Sequence, residues 1–121
     1  MKNKTTRHRY GIPPRIMELL WLERLRQISL NEGDQFKTRH DVAAPESDPD
    51  RNLRILVEEV GEIARGIDRL KITGQAGSTE EFFKLHRKRR TELCDEIVQA
   101  AAVCVAWLES IEATEPRRKS Q

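Results

Sequence analysis

Aromatic residues are scarce in this chain: two tryptophans, one tyrosine and three phenylalanines make up 5% of 121 residues. So small a supply argues against a β-sandwich, and against a nucleic-acid surface built on base stacking. Cysteine is scarcer still. Cys94 and Cys104 stand ten residues apart in one helical segment, about 15 Å along the axis, too far for a disulfide. Two buried thiols in a reducing, cytoplasmic compartment are the expectation. An excess of one charge is also missing. Twenty-two basic residues nearly balance twenty acidic ones, leaving a net charge of +2, so global charge points to neither a nucleic-acid nor a membrane partner. No apolar run reaches membrane-spanning length, and no apolar segment follows the basic first ten residues as it would in a signal peptide. A glycine-rich phosphate loop, a Ser/His/Asp order, a cysteine metal motif and an internal repeat are absent too.

What is present is charge and helical periodicity. Charged residues are 35% of the chain and hydrophobic ones 37%. The length suits one domain, and a lone domain of this size hides only about two thirds of its unfolded surface. Association with a second copy would enlarge the core. The expected fold is all-α: an antiparallel helical bundle, completed by oligomerisation.

Residues 1–12 read as a flexible basic arm, 13–113 as the all-α domain and 114–121 as a polar tail. Pro13 and Pro14 open a first helix, whose apolar residues Ile16, Leu19, Leu20, Leu22, Leu25 and Ile28, at spacings of mostly three, carry it to about Asn31, and Gly33 stops it. Residues 32–48 read as an irregular connection, long enough to suggest function or disorder. Asp48 caps the second helix and Pro49 fills its first position. Apolar spacings of three and four from Leu53 to Leu70 extend it to about Lys71. Ser78 and Glu81 form a capping box for the third, which runs to about Ala113, with a possible break near 88–91. From Ile97 to Leu108 only Gln99 is polar, so this helix should be buried on more than one face.

Each of the last two helices carries a pair of carboxylates. Glu59 and Glu62 are three apart, hence neighbours on one helical face, and Glu92 and Asp95 repeat that geometry. About thirty residues separate the pairs, room for a turn and a reversal, so antiparallel packing could gather four carboxylates. Like charges that close repel and raise one another's pKa. Such a cluster requires a cation or else must spread out, and oxygen-only ligands select Mg²⁺ or Mn²⁺. Either pair alone is ordinary on an exposed helix, where Glu62 can pair with Arg65, and Glu92 with Lys88 or Arg89.

Other features have plainer readings. The run from Lys84 to Arg90 is a solvated basic face, with triphosphate contacts through Lys84 and Lys88, or nucleic-acid contact, as the alternatives. His40 lies in the long connection, exposed or part of a lid over a nucleobase. Trp21 and Trp107 are expected in packing. Cys94 lies between Glu92 and Asp95 in sequence only. Glycine at position 61, inside a helix, costs about 1 kcal/mol relative to alanine, which fits close approach by another helix.

The segments LVEEVGEIARGI (56–67) and ELCDEIVQAAAVCVAWL (92–108) resemble the two signature helices of the MazG-like nucleotide pyrophosphohydrolases, all-α enzymes whose pattern is EExxE followed by ExxD. Glu58, Glu59 and Glu62 match the first part, Glu92 and Asp95 the second; the likeness covers about residues 53–110. It implies that Glu59, Glu62, Glu92 and Asp95 bind Mg²⁺, with Mn²⁺ as a substitute. It implies further that Glu59 or Glu62 orients the attacking water. The implied reaction is hydrolysis of a nucleoside triphosphate to monophosphate and pyrophosphate by a homodimer or homotetramer. The rival is a non-catalytic helical assembly or regulatory module of the same fold.

Overall fold

A computed structural model describes residues 11–33, 41–73 and 79–114, and among them the only regular elements are three α-helices. They are α1 (Pro14–Gly33), α2 (Pro49–Ile72) and α3 (Thr79–Thr114). The basic residues 1–10, His40, the Ser78 cap and the tail from 115 lie outside the described residues. The chain divides into two compact units, Met1–His40 and Asp41–Gln121.

In the first unit, the Pro13 carbonyl accepts from the amides of Ile16 and Met17, which leaves Pro14 at the first helical position, where a missing N–H costs nothing. The apolar residues of α1 do not form one buried stripe. Spacings of three fall short of a full turn, so successive residues walk around the helix by about 60° each. Ile16, Met17, Leu22 and Leu25 are exposed, and Trp21 is 63% exposed, which corrects the expectation that it packs. Local ion pairs support the helix, among them a two-bond contact from Arg26 to Glu23.

The second unit is a helical hairpin with a structured lead-in. Asp41 opens a turn, its side chain accepting from the Ala43 amide at 3.0 Å, and Glu46 adopts the left-handed conformation (φ 62°). That geometry aims the Glu46 amide at Thr114 Oγ1, 2.7 Å away. The Asp48 side chain accepts from the Asp50 amide at 3.1 Å and Pro49 follows, as the sequence indicates. Thr73 ends α2, its amide reaching the Arg69 and Lys71 carbonyls. Helix α3 runs 36 residues, unbroken through 88–91.

The two helices meet along a seam with a seven-residue repeat. On α2 the seam is Asn52, Leu56, Glu59, Ile63, Gly66, Leu70 and Thr73, all buried or half-buried. On α3 it includes Leu93, Glu96, Ala100, Val103 and Ser110. A Cβ built on Gly66 would lie 3.2 Å from Leu93 Cδ1 and 3.7 Å from Leu93 Cα, so the absent side chain permits the closest approach there. Ser47 and Ser110 hydroxyls meet at 2.8 Å at the other end. Gly66 opposite Leu93 and Ser47 opposite Ser110 make the pair antiparallel. Facing residues have numbers that add to about 158.

A polar knot closes the lower end of the seam. Asn52, fully buried, donates through Nδ2 to Ser47 Oγ at 2.8 Å. Ser47 Oγ lies 2.9 Å from the Val42 carbonyl, and Ser110 Oγ 2.6 Å from that of Ala44. Two hydroxyl protons therefore serve three oxygen–oxygen contacts, tying the 41–48 turn to both helices.

One residue after each seam position comes a second stripe, about 100° further around the helix. On antiparallel helices a step forward on each leads to the same side of the pair, so the two outer stripes share one face. They are Leu53, Val57, Val60, Ala64 and Ile67 on α2, and Cys94, Ile97, Ala101, Cys104 and Leu108 on α3, all exposed. This corrects the expectation of buried thiols: both cysteines are free and lie on the outer stripe, not the seam. It also shows where the apolar stretch after Asp95 goes. Part of it enters the seam and part remains uncovered. By length and composition alone α3 is apolar enough to cross a membrane, contrary to the sequence expectation; the same stretch supplies the seam against α2.

Candidate functional site

The residue preceding each seam position lies on the opposite face of the hairpin from the apolar stripes, by the same rotation taken backwards. On α2 these positions hold Glu58, Glu62, Arg65 and Arg69. On α3 they hold Lys88, Glu92 and Asp95. Glu59 and Glu96 lie in the seam, half-buried. Three of the four expected ligands, Glu62, Glu92 and Asp95, thus share one face, and the fourth, Glu59, borders it. The register puts Glu62 level with Glu96, and Asp95 level with Ile63. Glu92 is level with Gly66, about one turn further along.

Arginines hold two of these carboxylates. Arg65 donates to both oxygens of Glu62, and Arg89 donates to Glu92 Oε1 at 2.9 Å. The Arg65 hydrogen bond holds the Glu62 carboxyl below its ordinary range, against some desolvation, with further attraction from Arg65 and Arg69. Arg65 in turn is pushed up by its bond to Glu62, aided by the charges of Glu62 and Glu96. Glu96, in the seam one residue past Asp95, is the carboxylate that the sequence reading left out. Its signal was the seven-residue repeat, in which positions 93, 96, 100 and 103 keep step.

Asp95 is exposed. Among the described residues, no three acidic, cysteine or histidine side chains are gathered closely enough to share an ion. The physical reason is local: Glu62 turns to Arg65, Glu92 to Arg89, and bare carboxylates on one face repel. The donor set itself is all oxygen, the kind that suits a hard divalent cation.

Of the expected triphosphate contacts, Lys84 and Lys88 are both exposed, and Lys88 lies on the acidic face one turn before Glu92. Gly61 meets only the end of Arg65, at 4.0 Å. The close helix–helix approach expected of Gly61 is made instead by Gly66.

Comparison with known proteins adds no relative: no family model, curated protein or solved structure matches this chain.

Proposed function

We propose that this chain is a Mg²⁺-dependent nucleoside triphosphate pyrophosphohydrolase that converts a ribo- or deoxyribonucleoside triphosphate to the monophosphate and pyrophosphate, as in removal of non-standard nucleotides. The observation that carries the reading is that Glu62, Glu92 and Asp95 lie on one face of an antiparallel hairpin, with Glu59 at its edge. Glu59, Glu62, Glu92 and Asp95 would hold the ion. When bound, Mg²⁺ neutralises phosphate charge and lowers the pKa of a coordinated water. Phosphoryl chemistry asks the protein for charge neutralisation and a positioned water more than for a covalent nucleophile. Glu59 or Glu62 would orient the attacking water. Lys84 and Lys88 supply positive charge beside the face for the phosphate chain, and His40 is the candidate for the nucleobase side. The enzyme acts as a homo-oligomer in the cytoplasm.

The Arg65–Glu62 and Arg89–Glu92 pairs favour a second reading, a non-catalytic helical module whose acidic face is neutralised from within. One assay separates the two. Pyrophosphate release is measured from a panel of canonical and modified nucleotides with Mg²⁺ and with EDTA. Monophosphate and pyrophosphate formed only with Mg²⁺ support the enzyme, and the panel ranks the bases. A folded protein that releases nothing from any nucleotide sinks it.

A further inference from the structure

The near-balance of charge over the whole chain hides a separation along the hairpin. Between 65 and 91 the described residues carry eight arginines and lysines against three acids. Over 41–64 and 92–114 the balance inverts, to twelve acids against Arg51 and Arg54 alone. Arg90 is the last cation of α3. Of the eight, Arg65 and Arg89 are paired with Glu62 and Glu92. The other six, Arg69, Lys71, Lys84, Arg87, Lys88 and Arg90, are exposed and make no ion pair among the described residues. A cationic end and an acidic body on one helical hairpin orient it toward an anionic partner.

The seam repeat carried back from Leu93 turns positions 89 and 86 toward α2. Lys84, Arg87 and Lys88, with Thr91, therefore occupy the side of α3 turned away from α2, and Arg90 the flank beside them. Arg69 and Lys71 add charge from α2 at the same level. We propose that this cationic back of α3 binds the phosphate backbone of duplex DNA. A helix with its side chains is about 10–12 Å across, and the major groove of B-form DNA is about 12 Å wide. Arg87 and Lys88, on opposite flanks of the back, then reach the phosphates along its two edges. Glu80 and Glu81 before the stretch and Asp95 after it confine the contact to about 12 Å of helix. The duplex therefore crosses α3 rather than running along it, and the acidic body stays clear. A single strand fits less well, because single strands are held by stacking on aromatic side chains and Phe83 is the one exposed aromatic of α3. A bilayer also fits less well: the exposed apolar stripe and the pair Lys84 and Lys88 lie on different sides of α3, so no single plane presents both. Helix α3 has no asparagine or glutamine before Gln99 to read adenine edges, so the contacts position the duplex without selecting its sequence. The inference does not rest on any catalytic activity.

Fluorescence anisotropy of the full chain with a labelled mixed-sequence DNA duplex tests it. Four phosphate contacts, from Lys84, Arg87, Lys88 and Arg90, give a slope of about −4 in log K against log salt. Affinity should therefore fall about a hundredfold between roughly 50 and 200 mM salt. Arg87→Gln with Arg90→Gln should weaken binding about tenfold at the lower salt and halve the slope to about −2. Arg51→Gln with Arg54→Gln removes as much charge from the acidic body and should change neither. An RNA duplex, whose major groove is too deep and narrow to admit a helix, should bind more weakly than DNA. Circular dichroism checks that each variant is folded. No binding to DNA at low salt overturns the proposal. So does a slope that the Arg87 and Arg90 changes leave unmoved, which would assign binding to cations elsewhere in the chain, or an equal loss on changing Arg51 and Arg54. RNA bound as tightly as DNA would refute the major-groove contact. Capture by phosphatidylserine vesicles without binding to DNA would make the partner a membrane and overturn the proposal as well.

Discussion

Gly66 gives the sharpest test of how the hairpin is held together. Two glycines lie inside α2, five residues apart, and only one touches α3. At Gly61 a methyl group would find open space, with Arg65 alone at 4.0 Å; at Gly66 it would come within 3.2 Å of Leu93 Cδ1. Replacing a helical glycine by alanine gains about 1 kcal/mol of backbone propensity at either site. At Gly66 the gain is opposed by overpacking, which costs about 1–3 kcal/mol in a close-packed seam. Gly61→Ala should therefore stabilise by about 1 kcal/mol, while Gly66→Ala should fall between neutral and about 2 kcal/mol destabilised. The separation is at least about 1 kcal/mol, or about 4 °C in thermal midpoint for a chain of this size.

Urea and thermal unfolding of the two variants beside the parent would measure it. Leu93→Ala supplies the cross-check: it removes the obstructing atom, so Gly66→Ala should cost less in that background than in the parent, a coupling visible in a double-mutant cycle. If Gly66→Ala raises the midpoint as far as Gly61→Ala does, the close approach at Leu93 is not what fixes the register of α2 and α3. The levels assigned to the acidic residues would then lose their anchor.

Four further outcomes are expected. Asn52→Ala should destabilise by about 1–3 kcal/mol, because it withdraws a fully buried donor from Ser47; an unchanged urea midpoint would show that the polar knot is dispensable. Glu59→Gln and Asp95→Asn should each eliminate Mg²⁺-dependent pyrophosphate release while the circular dichroism spectrum stays parental, and retained turnover in either would count against the ligand set. The Glu62 carboxyl is held low by Arg65, so the stabilisation it contributes is present at neutral pH and lost as pH falls through its lowered folded value, below the ordinary glutamate range. NMR titration of the Glu62 side chain in parent and Arg65→Gln should show the midpoint rising in the variant, and coincident midpoints would remove Arg65 as the cause. In the same variant Glu62 is freed for an ion, so millimolar Mg²⁺ should raise the thermal midpoint more than in the parent; an equal or smaller rise would mean that Arg65 does not compete with the metal.

The helices were legible because their signals are local. Asp48 and Pro49 mark a start that depends on two adjacent residues, and the three- and four-residue spacings of α2 describe one side of one helix. The position of Trp21 was not legible, because apolar spacings of three look helical without defining a face, and nothing local says which side will be covered. The burial of the cysteines failed for a related reason. A stretch apolar nearly all round says that more than one face needs a partner, but not which face the chain itself covers, and here Cys94 and Cys104 fall on the uncovered one. The acidic pairs were legible as three-residue spacings, each on a single helix. Their engagement with Arg65 and Arg89 was legible only as an alternative, since Glu62–Arg65 and Arg89–Glu92 have the same three-residue spacing as the carboxylates themselves.

That shared spacing bears on how such a face could work. A carboxylate meant to receive a cation has to be kept from repelling its neighbours until the cation arrives. An arginine three residues away on the same helix can do this without a fixed tertiary contact, because a pair that is exposed or only partly buried is weak. Glu62 and Glu92 each have such a partner, whereas Asp95 does not among the described ion pairs. Asp95 is the exposed member of this face, and Glu62 and Glu92 would hold an ion beside it only if Arg65 and Arg89 gave way. The same arginines that favour a purely structural reading would, once displaced, leave two cationic groups beside the acidic face.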